Sequence, residues 1–294
     1  MILITGVTGF IGKHLLKSLI NLHGKENILA LTSKPTSMCN YLLHDGYSFS
    51  KSFFVEKGYD NIDTIIHVGA FIPKSGADIN NVENCTSNIT STFKLLAAEL
   101  PKLKKFIFIS TVDVYGFSNP VTEETVVSPA SLYGHSKLYC EEMISAWASQ
   151  KGVCHQILRV GHVYGPGEED YKKIIPVTIK NLLLKTSPKL YGEGKDIRSF
   201  IYISDVIDAI INSLKLEKYQ GVINIVSEEQ ITIKELVYKI ISISGLPIEP
   251  EKVDYKGKSR DLVFDNTKLK NLLYEPKVSL NEGLKNEIIY FKSP

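Results

Sequence analysis

The chain has 294 residues, of which 44% are hydrophobic and 22% charged, and its net charge at pH 7 is +2. This length allows a sizeable core, and the near-neutral charge argues against a dedicated nucleic-acid surface. The start of the chain, MILITG, shows no basic region and no cleavage site, and no run approaches the ~20 apolar residues of a membrane span. We therefore expect a cytoplasmic protein of small-molecule chemistry, without nucleic-acid or membrane partners.

Strand-like apolar runs alternate with helix-length amphipathic segments through the first two thirds of the chain. In chain order these segments are ILIT, IGKHLLKSLINLHG, NILALTS, IDTIIHVGA, KLLAAELP and KFIFIST. Residues 133–150 read as another helix, and VCHQILRV reads as another buried strand. This alternation predicts a parallel sheet with crossover helices, and the continuously apolar strands predict helices on both faces. The third strand is expected within YSFSKSFF.

The regular alternation of strand-like and helix-like segments is interrupted from Gly165 onwards. A helix-length stretch, IIPVTIKNLLLK, precedes a polar segment, KLYGEGKDIRSF, which resembles a hairpin. Alternation returns in FIYISDVIDAIINSL and GVINIVS, before a helix near ITIKELVYKIISISG and a charged tail. The four cysteines lie far apart, without the short spacings of zinc or redox motifs, so we expect unpaired thiols and no metal site.

A glycine-rich motif, TGVTGFIGKHLL, follows the first strand directly and leads into a helix. Its glycines permit a tight turn and a close approach to a pyrophosphate at the helix N-terminus, where free N–H groups and the helix dipole favour anions. The motif alone is moderately specific, because such a turn can be purely structural. The predicted contacts are Gly6, Thr8, Gly9, Phe10, Ile11 and Gly12.

The end of the second strand bears on the choice between NAD and NADP. NAD-binding sites usually carry an acidic residue ~20 positions after the glycine motif, where it binds the ribose hydroxyls. Here the sequence has Thr32, Ser33 and Lys34 instead. A lysine without a neighbouring carboxylate suits an additional 2′-phosphate, so the pattern favours NADP, although Lys34 could also be an ordinary exposed charge.

A tyrosine and a lysine, Tyr133 and Lys137, lie four residues apart in YGHSK and therefore share one helix face. Tyrosine exchanges protons near neutral pH only if its pKa falls well below ~10, which a nearby ammonium can cause by stabilising the phenolate. Such a pair is frequent by chance in helices. The pair gains meaning in combination with the glycine motif.

These motifs together resemble the extended short-chain dehydrogenase/reductase family, in particular its NAD(P)-dependent nucleotide-sugar epimerases, dehydratases and reductases. The resemblance rests on TGVTGFIG, HVGA, ISTVDVYG, YGHSK, LRVGHVYGPG, GEGKDIRSFIYISDV and NEGLK, in the family's order. It implies an α/β fold, a Rossmann-type doubly wound parallel sheet with a smaller C-terminal substrate-binding lobe. The dinucleotide-binding domain would cover 1–165, with 199–226 returning to it, and 166–294 would form mainly the substrate-binding lobe.

The resemblance also implies roles for individual residues. Thr111 would bind the reacting oxygen, Tyr133 would be the acid/base, and Lys137 would hold the nicotinamide ribose and lower the tyrosine pKa. Gly69 and Asn88 would belong to the dinucleotide site. The implied substrate-binding residues are Thr111, His162 in place of the family's usual asparagine, Arg198, which would grip a pyrophosphate, and the less regular pair Lys258 and Arg260.

The residues after Thr111 bear on the reaction. Sugar dehydratases of the family carry Asp and then Glu directly after the threonine, because elimination needs an acid and a base. Here Val112 cannot transfer a proton, and we interpret Asp113 as a polar contact at the strand end. Dehydration is therefore not expected.

Two reactions remain. One is the 4-ketoreduction of an NDP-4-keto-6-deoxy sugar with exchangeable NADPH, in deoxysugar or polysaccharide biosynthesis, and the other is NAD-dependent 4-epimerisation of a nucleotide sugar. The sequence after the second strand favours the reductase. A non-catalytic dinucleotide sensor is a third hypothesis, which the presence of both Tyr133 and Lys137 disfavours, and YGPG and KDIRSF disfavour an acyl-CoA or steroid ketone.

Relatives of this family commonly pair through two helices, which correspond here to segments near 84–100 and 133–147. The resemblance therefore implies a homodimer. An apolar helix face also packs on a sheet, so the sequence alone leaves this assembly as an expectation.

Overall fold

The computed structural model of the protein describes residues 1–116, 118–255 and 261–292. Its strands are β1 Ile2–Thr5, β2 Ile28–Thr32, β3 Asn40–Leu43, β4 Thr64–His67, β5 Lys105–Thr111, β6 Cys154–Val160, β7 His162–Tyr164, β8 Lys189–Tyr191, β9 Ile197–Tyr202, β10 Ile223–Ile225, β11 Gln230–Thr232 and β12 Glu251–Val253. Its helices are α1 Phe10–His23, α2 Phe53–Glu56, α3 Val82–Leu96, α4 Leu132–Lys151, α5 Ile174–Leu183, α6 Ile203–Ser213, α7 Ile233–Ser244, α8 Thr267–Leu272 and α9 Leu280–Lys292.

The main sheet of the described chain has the strand order β10-β6-β5-β4-β1-β2-β3. Every neighbouring pair in it is parallel. Apart from the added β10, this is the 3-2-1-4-5-6 order of a doubly wound dinucleotide-binding sheet. The predicted α/β, Rossmann-type parallel sheet is confirmed.

Helices cover both faces of this sheet, and successive strand residues explain why. Ile2 and Ile4 of β1 belong to an apolar cluster with residues of α1 and α6. Leu3, between them, belongs to a second cluster with residues of α3 and α4. Since side chains alternate between the two faces of a strand, a strand buried on both sides must be apolar throughout.

The direction of winding reverses at β1, whose neighbours are β2 and β4. Gly6 follows β1 and Gly69 follows shortly after β4, and a Cβ on Gly6 would lie 2.6 Å from the Cα of Gly69. Only glycine permits this approach of two backbones. In open parallel sheets, ligands bind in the crevice outside the carboxyl ends of the strands at such a reversal.

Two expectations about local structure were wrong. The third strand is β3, and YSFSKSFF instead leads into the short helix α2. Strand β3 has four residues, three of them exposed, so it lacks the apolar signal of the inner strands. The segment KLYGEGKDIRSF is not a hairpin either, because β8 pairs with β12, whereas β9 pairs with β7 and β11.

The C-terminal half returns to the main sheet through β10, while β7, β9 and β11 form a second, three-stranded sheet. Buried side chains of α5, α7 and α9 join the same apolar cluster as α1 and α6. The division into a domain of residues 1–165 with 199–226 and a lobe of residues 166–294 stays a prediction. In the part of the chain that the structure describes, no helix is long and apolar enough to cross a membrane.

Candidate active site

The turn between β1 and α1 is closed by glycines. Gly6 has a φ of +74°, which favours glycine, and a Cβ on Gly12 would lie 2.0 Å from the Gly6 carbonyl oxygen. The N-cap of α1 is Gly9, which gives no side-chain cap, and the first turn of the helix contains no acidic residue. The N–H groups of this turn and the helix dipole therefore fit a pyrophosphate.

A cavity of about 1150 Å³ lies at the carboxyl ends of the strands. Ordinary small-molecule pockets measure roughly 300–1000 Å³, so this cavity has room for a dinucleotide together with a second ligand. The residues predicted from sequence that line it are Gly6, Thr8, Gly9, Phe10, Ile11, Gly12, Thr32, Ser33, Gly69, Asn88, Thr111, Tyr133, Lys137 and His162.

Thr111 is the last residue of β5, and a short 3₁₀ turn, Val112–Val114, follows it. The Thr111 hydroxyl accepts the Asp113 N–H at 3.2 Å and donates to the Asp113 carboxylate at 3.3 Å. Asp113 lines the cavity, whereas Val112 packs in an apolar cluster with Val114 and Tyr115. The valine is therefore a core residue, and the aspartate is more than a strand-end contact, because its carboxylate reaches the site.

Tyr133 lies in the first turn of α4, directly beside this turn. The helix is capped by Ser131, whose hydroxyl accepts the Gly134 N–H at 3.1 Å. A Cβ on Gly134 would lie 2.5 Å from the Asp113 carbonyl oxygen, so only glycine lets the helix begin so close to the end of β5. This close approach brings the Tyr133 phenol next to Thr111.

Burial of Tyr133 raises its pKa above the usual value, and the charge of Asp113 raises it further. A hydrogen bond with Thr111 opposes both effects. The phenol is thus protonated in the protein alone. The sequence predicted the reverse, a pKa lowered by Lys137, whereas burial is the largest effect on this pKa in the structure.

The Lys137 ammonium points towards the buried residues near the end of β5. Its Nζ donates to the Ile109 carbonyl oxygen at 2.6 Å and lies 4.1 Å from the centroid of the Phe108 ring. Burial lowers the pKa of Lys137 to about 8, although Cys140 and Glu141 oppose this shift. Lys137 is therefore about half protonated near pH 8 and carries its full positive charge only well below that pH.

The end of β2 differs from the prediction. The Thr32 hydroxyl donates to the Lys34 carbonyl oxygen at 2.9 Å and accepts the Lys34 N–H at 3.2 Å. Thr32 and Ser33 line the cavity, whereas the exposed Lys34 is outside the lining. The Thr32 hydroxyl is thus engaged in a local turn, and the lysine expected to meet a 2′-phosphate does not reach the cavity.

Sequence reasoning missed two aromatic residues at the same end of the cavity. His44 and Tyr47 line it and pack with ring centroids 4.1 Å apart. They follow β3, so they would have been found if the segment NYLL had been recognised as the third strand.

Asn88 lies in α3 at the wall of the cavity, with its side chain bonded to protein groups. Its Oδ1 accepts the Phe71 N–H at 2.7 Å, and its Nδ2 donates to the Phe71 carbonyl and to Ser136 Oγ, both at 3.2 Å. The residue therefore fixes the segment after β4 against α4, and its place in the dinucleotide site stays a prediction.

A second cavity of about 280 Å³ adjoins the first and shares His162 and Lys173 with it. Arg198 lines this second cavity, where it donates to the Ile197 carbonyl at 2.9 Å and to Asp196 at 3.2 Å. Burial lowers the pKa of His162 to about 4, so its imidazole is neutral. The structure thus brings His162 to the junction of the two cavities and Arg198 to the outer one.

Lys173 is a further cation at this junction that sequence reasoning missed. Its Nζ lies 3.9 Å from the buried Glu168 carboxylate, and no motif marks its position in the loop after β7. Lys258 and Arg260 lie outside the described residues. Within the described ranges, no group of three or more His, Cys, Asp or Glu side chains could hold a metal ion.

Comparisons with known proteins agree with this geometry. The sequence model of the "NAD dependent epimerase/dehydratase family" matches residues 2–225. An uncharacterized UDP-glucose epimerase, YtcB, of Bacillus subtilis is 31% identical over 311 aligned positions, covering 99% of this chain and 98% of the relative. A UDP-N-acetyl-alpha-D-glucosaminuronate decarboxylase of Bacillus cytotoxicus is 30% identical, covering 99% of this chain and 97% of the relative.

A solved structure is similar over the same length. The crystal structure of a UDP-glucuronic acid 4-epimerase from Bacillus cereus, in complex with UDP-glucuronic acid and NAD, superposes with a TM-score of 0.86 at 29% identity. The match covers 99% of this chain and 98% of that one. Together with the sheet order and the cavity, these similarities confirm the resemblance found in the sequence: the chain belongs to the NAD-dependent epimerase/dehydratase family.

Proposed function

We propose that the protein is an NAD-dependent 4-epimerase of a nucleotide sugar. The observation that carries this proposal is the meeting of the glycine turn with Thr111 and Tyr133 in one large cavity. A hydroxyl and a phenol beside a space of dinucleotide size suit hydride and proton exchange at a sugar carbon. The three relatives described above support the substrate class, since all are described as enzymes of UDP-sugars.

The choice of NAD over NADP rests on the end of β2. The preference for NADP depended on Lys34, which is exposed and outside the cavity lining, and on a Thr32 hydroxyl that is engaged in a turn. Without these contacts, the case for a 2′-phosphate loses its physical basis, and with it the argument for the reductase. The 4-ketoreductase remains the competing outcome of the test below.

In the proposed reaction, Tyr133 takes the proton from the sugar 4-hydroxyl and returns it to the 4-keto oxygen. Thr111 hydrogen-bonds the same oxygen, for which its hydroxyl turns away from the Asp113 carboxylate, at present 3.3 Å away. NAD, when bound, takes up and gives back the hydride. Proton removal requires the raised pKa of Tyr133 to fall in the filled cavity, and positive charge nearby has this effect.

The remaining cations and the histidine suit the nucleotide sugar. Arg198 and Lys173 line the outer cavity, and cationic side chains bind phosphates through charge-assisted hydrogen bonds. The neutral His162 between the cavities can donate to or accept from a sugar hydroxyl. We assign these three residues to the substrate.

The test separates the two reactions. The purified protein is incubated with NAD and, one at a time, UDP-glucose, UDP-glucuronic acid and UDP-N-acetylglucosamine, and in parallel with NADPH and a panel of nucleotide-linked 4-keto-6-deoxy sugars. We expect conversion of at least one UDP-sugar into its 4-epimer without net consumption of NAD. NADPH oxidation by a 4-keto sugar, without any epimer formation, would instead establish the reductase. Binding of NAD without turnover of any sugar would favour the sensor.

We also propose that the protein forms a homodimer through the outer faces of α3 and α4. Phe93 on α3 is 55% exposed and Tyr139 on α4 is 53% exposed, and exposed aromatic residues are typical of interfaces. Light scattering should give twice the mass of one chain, and Phe93→Lys combined with Tyr139→Lys should reduce it to one. The control is Tyr238→Lys on α7, which should leave the mass unchanged. A single-chain mass for the unaltered protein would overturn this assembly.

A further inference from the structure

A buried histidine, His67, connects the two ends of the site through hydrogen bonds. It is the last residue of β4 and 1% exposed. Its Nδ1 lies 2.8 Å from the Thr5 hydroxyl, and its Nε2 lies 3.1 Å from the Thr92 hydroxyl. Both ring nitrogens are therefore paired, one with β1 and the other with α3.

On the side of the glycine turn, Thr5 is the last residue of β1, the strand at which the direction of winding reverses. Its hydroxyl accepts the Gly69 N–H at 2.9 Å, and Gly69 is the residue against which Gly6 packs. A shift of the Thr5 side chain would thus move the contact between the two glycines. That contact forms part of the cavity wall beside the expected pyrophosphate.

On the side of the catalytic residues, the bonds continue through two helices. The Thr92 hydroxyl donates to the Asn88 carbonyl at 2.8 Å. The Asn88 side chain donates to Ser136 Oγ at 3.2 Å, and Ser136 donates to the Tyr133 carbonyl at 2.8 Å. The path therefore runs from the end of β1 to the turn of α4 that carries Tyr133.

The pairing fixes one tautomer of the imidazole. The Thr92 hydroxyl has one proton, and its acceptors are the Asn88 carbonyl at 2.8 Å and Cys140 Sγ at 3.3 Å. With its proton on either of these, Thr92 accepts from the Nε2–H of His67. Nδ1 then accepts from the Thr5 hydroxyl, which itself accepts from Gly69. Burial and the charge of Lys137 lower the pKa of His67 to about 3, and the rings of Phe106, Phe108 and Tyr47 pack around it.

We infer that His67 is a positioning residue. Its neutral imidazole, with the proton on Nε2, keeps the Gly6–Gly69 contact and the turn of α4 that carries Tyr133 in fixed positions relative to each other. A permanently neutral ring can donate at one nitrogen and accept at the other over the whole physiological range. Leucine or phenylalanine at this position would fill the space and hold neither partner. The inference rests on the proposed function, because it concerns the dinucleotide cavity and the reacting tyrosine.

The test measures dinucleotide binding, steady-state kinetics and the state of the ring. NAD affinity is measured by calorimetry for the unaltered protein, His67→Phe, Thr5→Val and Thr92→Val. Each variant should bind NAD roughly five- to tenfold more weakly, which corresponds to the loss of about one hydrogen bond, and kcat should fall with it. In a His67→Phe background, Thr5→Val should have a smaller further effect than in the unaltered protein, since only its bond to the Gly69 N–H remains to be lost.

The control for loss of a buried imidazole is His155→Phe. His155 is 7% exposed in strand β6 of the same sheet and stacks on Tyr219 away from the cavity. This variant should keep the NAD affinity of the unaltered protein. Nitrogen-15 NMR of the unaltered protein should show His67 protonated at Nε2 only, without titration between pH 5 and pH 8.

The outcomes are distinguishable. A His67 ring that titrates in this range or carries its proton at Nδ1 would overturn the inference, as would unchanged NAD affinity and kcat in both Thr5→Val and Thr92→Val. These two variants nearly preserve side-chain shape, so they decide the question even if His67→Phe does not fold. Failure of the unaltered protein to bind any dinucleotide would overturn the proposed function and this inference together.

Discussion

Thr111 and Tyr133 are brought together by the glycine that follows the tyrosine. Gly134 lets the start of α4 lie against the Asp113 carbonyl, and the two reacting side chains then line the same cavity. Both residues lie in short motifs that resemble those of the family, ISTVDVYG and YGHSK, which is why they could be assigned from the sequence. The effect of Asp113 on the pKa of Tyr133 could not be predicted from the sequence, because it depends on how the turn after β5 is oriented.

The first prediction concerns the phenol. Tyr133→Phe should lower kcat by about 10²–10⁴-fold, since general acid–base catalysis contributes on this order. NAD affinity should change little, because the phenol would act on the sugar. Rapid-quench assays and calorimetry measure the two quantities. Retained turnover in Tyr133→Phe would contradict the assigned role.

The second prediction concerns the charge of Asp113, which raises the pKa of Tyr133. Removing this charge in Asp113→Asn lowers that pKa, so the phenolate forms at lower pH. The acid limb of the kcat/KM profile should shift down by about 0.5–1 pH unit, while the amide still accepts from Thr111. Glu83→Gln, an exposed carboxylate on the same cavity, should leave the limb in place. An upward shift in Asp113→Asn would be incompatible with a phenolate base.

At the scale of secondary structure, α4 is joined to the sheet by a buried ion pair. The Arg159 guanidinium of β6 donates to the Glu141 carboxylate at 2.6 Å and 3.1 Å, and Ser110 of β5 donates to the same carboxylate. Arg159 also lies 4.7 Å from the Tyr115 ring centroid. This pair fixes the helix that carries Tyr133 and Lys137.

The third prediction follows from this pair. Glu141→Gln leaves the Arg159 charge buried without its counter-ion, so the free energy of unfolding should fall by about 3–5 kcal/mol. Urea denaturation measures the change. The control is Glu142→Gln, an exposed neighbour on the same helix, for which we expect less than about 0.5 kcal/mol. Equal stability of the two variants would show that the pair does not anchor the helix.

The elements differ in how well the sequence predicted them, and burial explains the difference. The inner strands are apolar on both faces, so their positions were readable, whereas β3 is an exposed edge strand without such a pattern. The residues that follow β3, His44 and Tyr47, were missed for this reason. The two lysines Lys34 and Lys173 were predicted wrongly for a different reason. The direction of a loop side chain depends on contacts that are distant in sequence. Lys34 was therefore assigned to the cavity, which it does not line, whereas Lys173, which lines it, was missed.

On the scale of the whole molecule, the C-terminal helix α9 is packed against the loop that borders the cavity. Glu287 of α9 and Glu168 of this loop are each 0% exposed, and the carboxylate oxygens of Glu287 have no hydrogen-bond partner among the described residues. Burial raises the pKa of Glu168 to about 7 and, together with the charges of Glu168 and Glu169, that of Glu287 to about 8. Lys173 partly offsets the shift at Glu168.

The fourth prediction is that the contribution of these two carboxyls to stability falls with rising pH. In the unfolded chain these carboxyls titrate near about 4.3, so between that pH and about 8 the folded state binds more protons. Stability contributed by the protonated forms is fully present below about pH 4.3 and is lost as pH rises through 7 and 8. Urea denaturation of the unaltered protein and of Glu287→Gln between pH 5 and pH 8.5 measures this loss as the difference between the two.

Glu287→Gln supplies the matched test of this coupling. It cannot ionise, so at pH 8 it should be more stable than the unaltered protein by about 1–3 kcal/mol, and the pH slope should be shallower. Glu282→Gln, an exposed glutamate of the same helix, should keep the original slope. An unchanged pH slope of stability in Glu287→Gln would exclude the proposed protonation.

The central claim, reversible oxidation of a sugar at C4, is tested most directly by following a hydride. Deuterium is placed at C4 of the UDP-sugar that the protein converts, and the product is analysed by NMR and mass spectrometry in the presence of excess unlabelled NADH. We predict a 4-epimer that keeps its deuterium at C4, because the hydride taken up in the cavity returns to the same sugar. An epimer that has lost the deuterium to the NADH pool or to water, or labelled sugar recovered with no inverted product, would contradict this account.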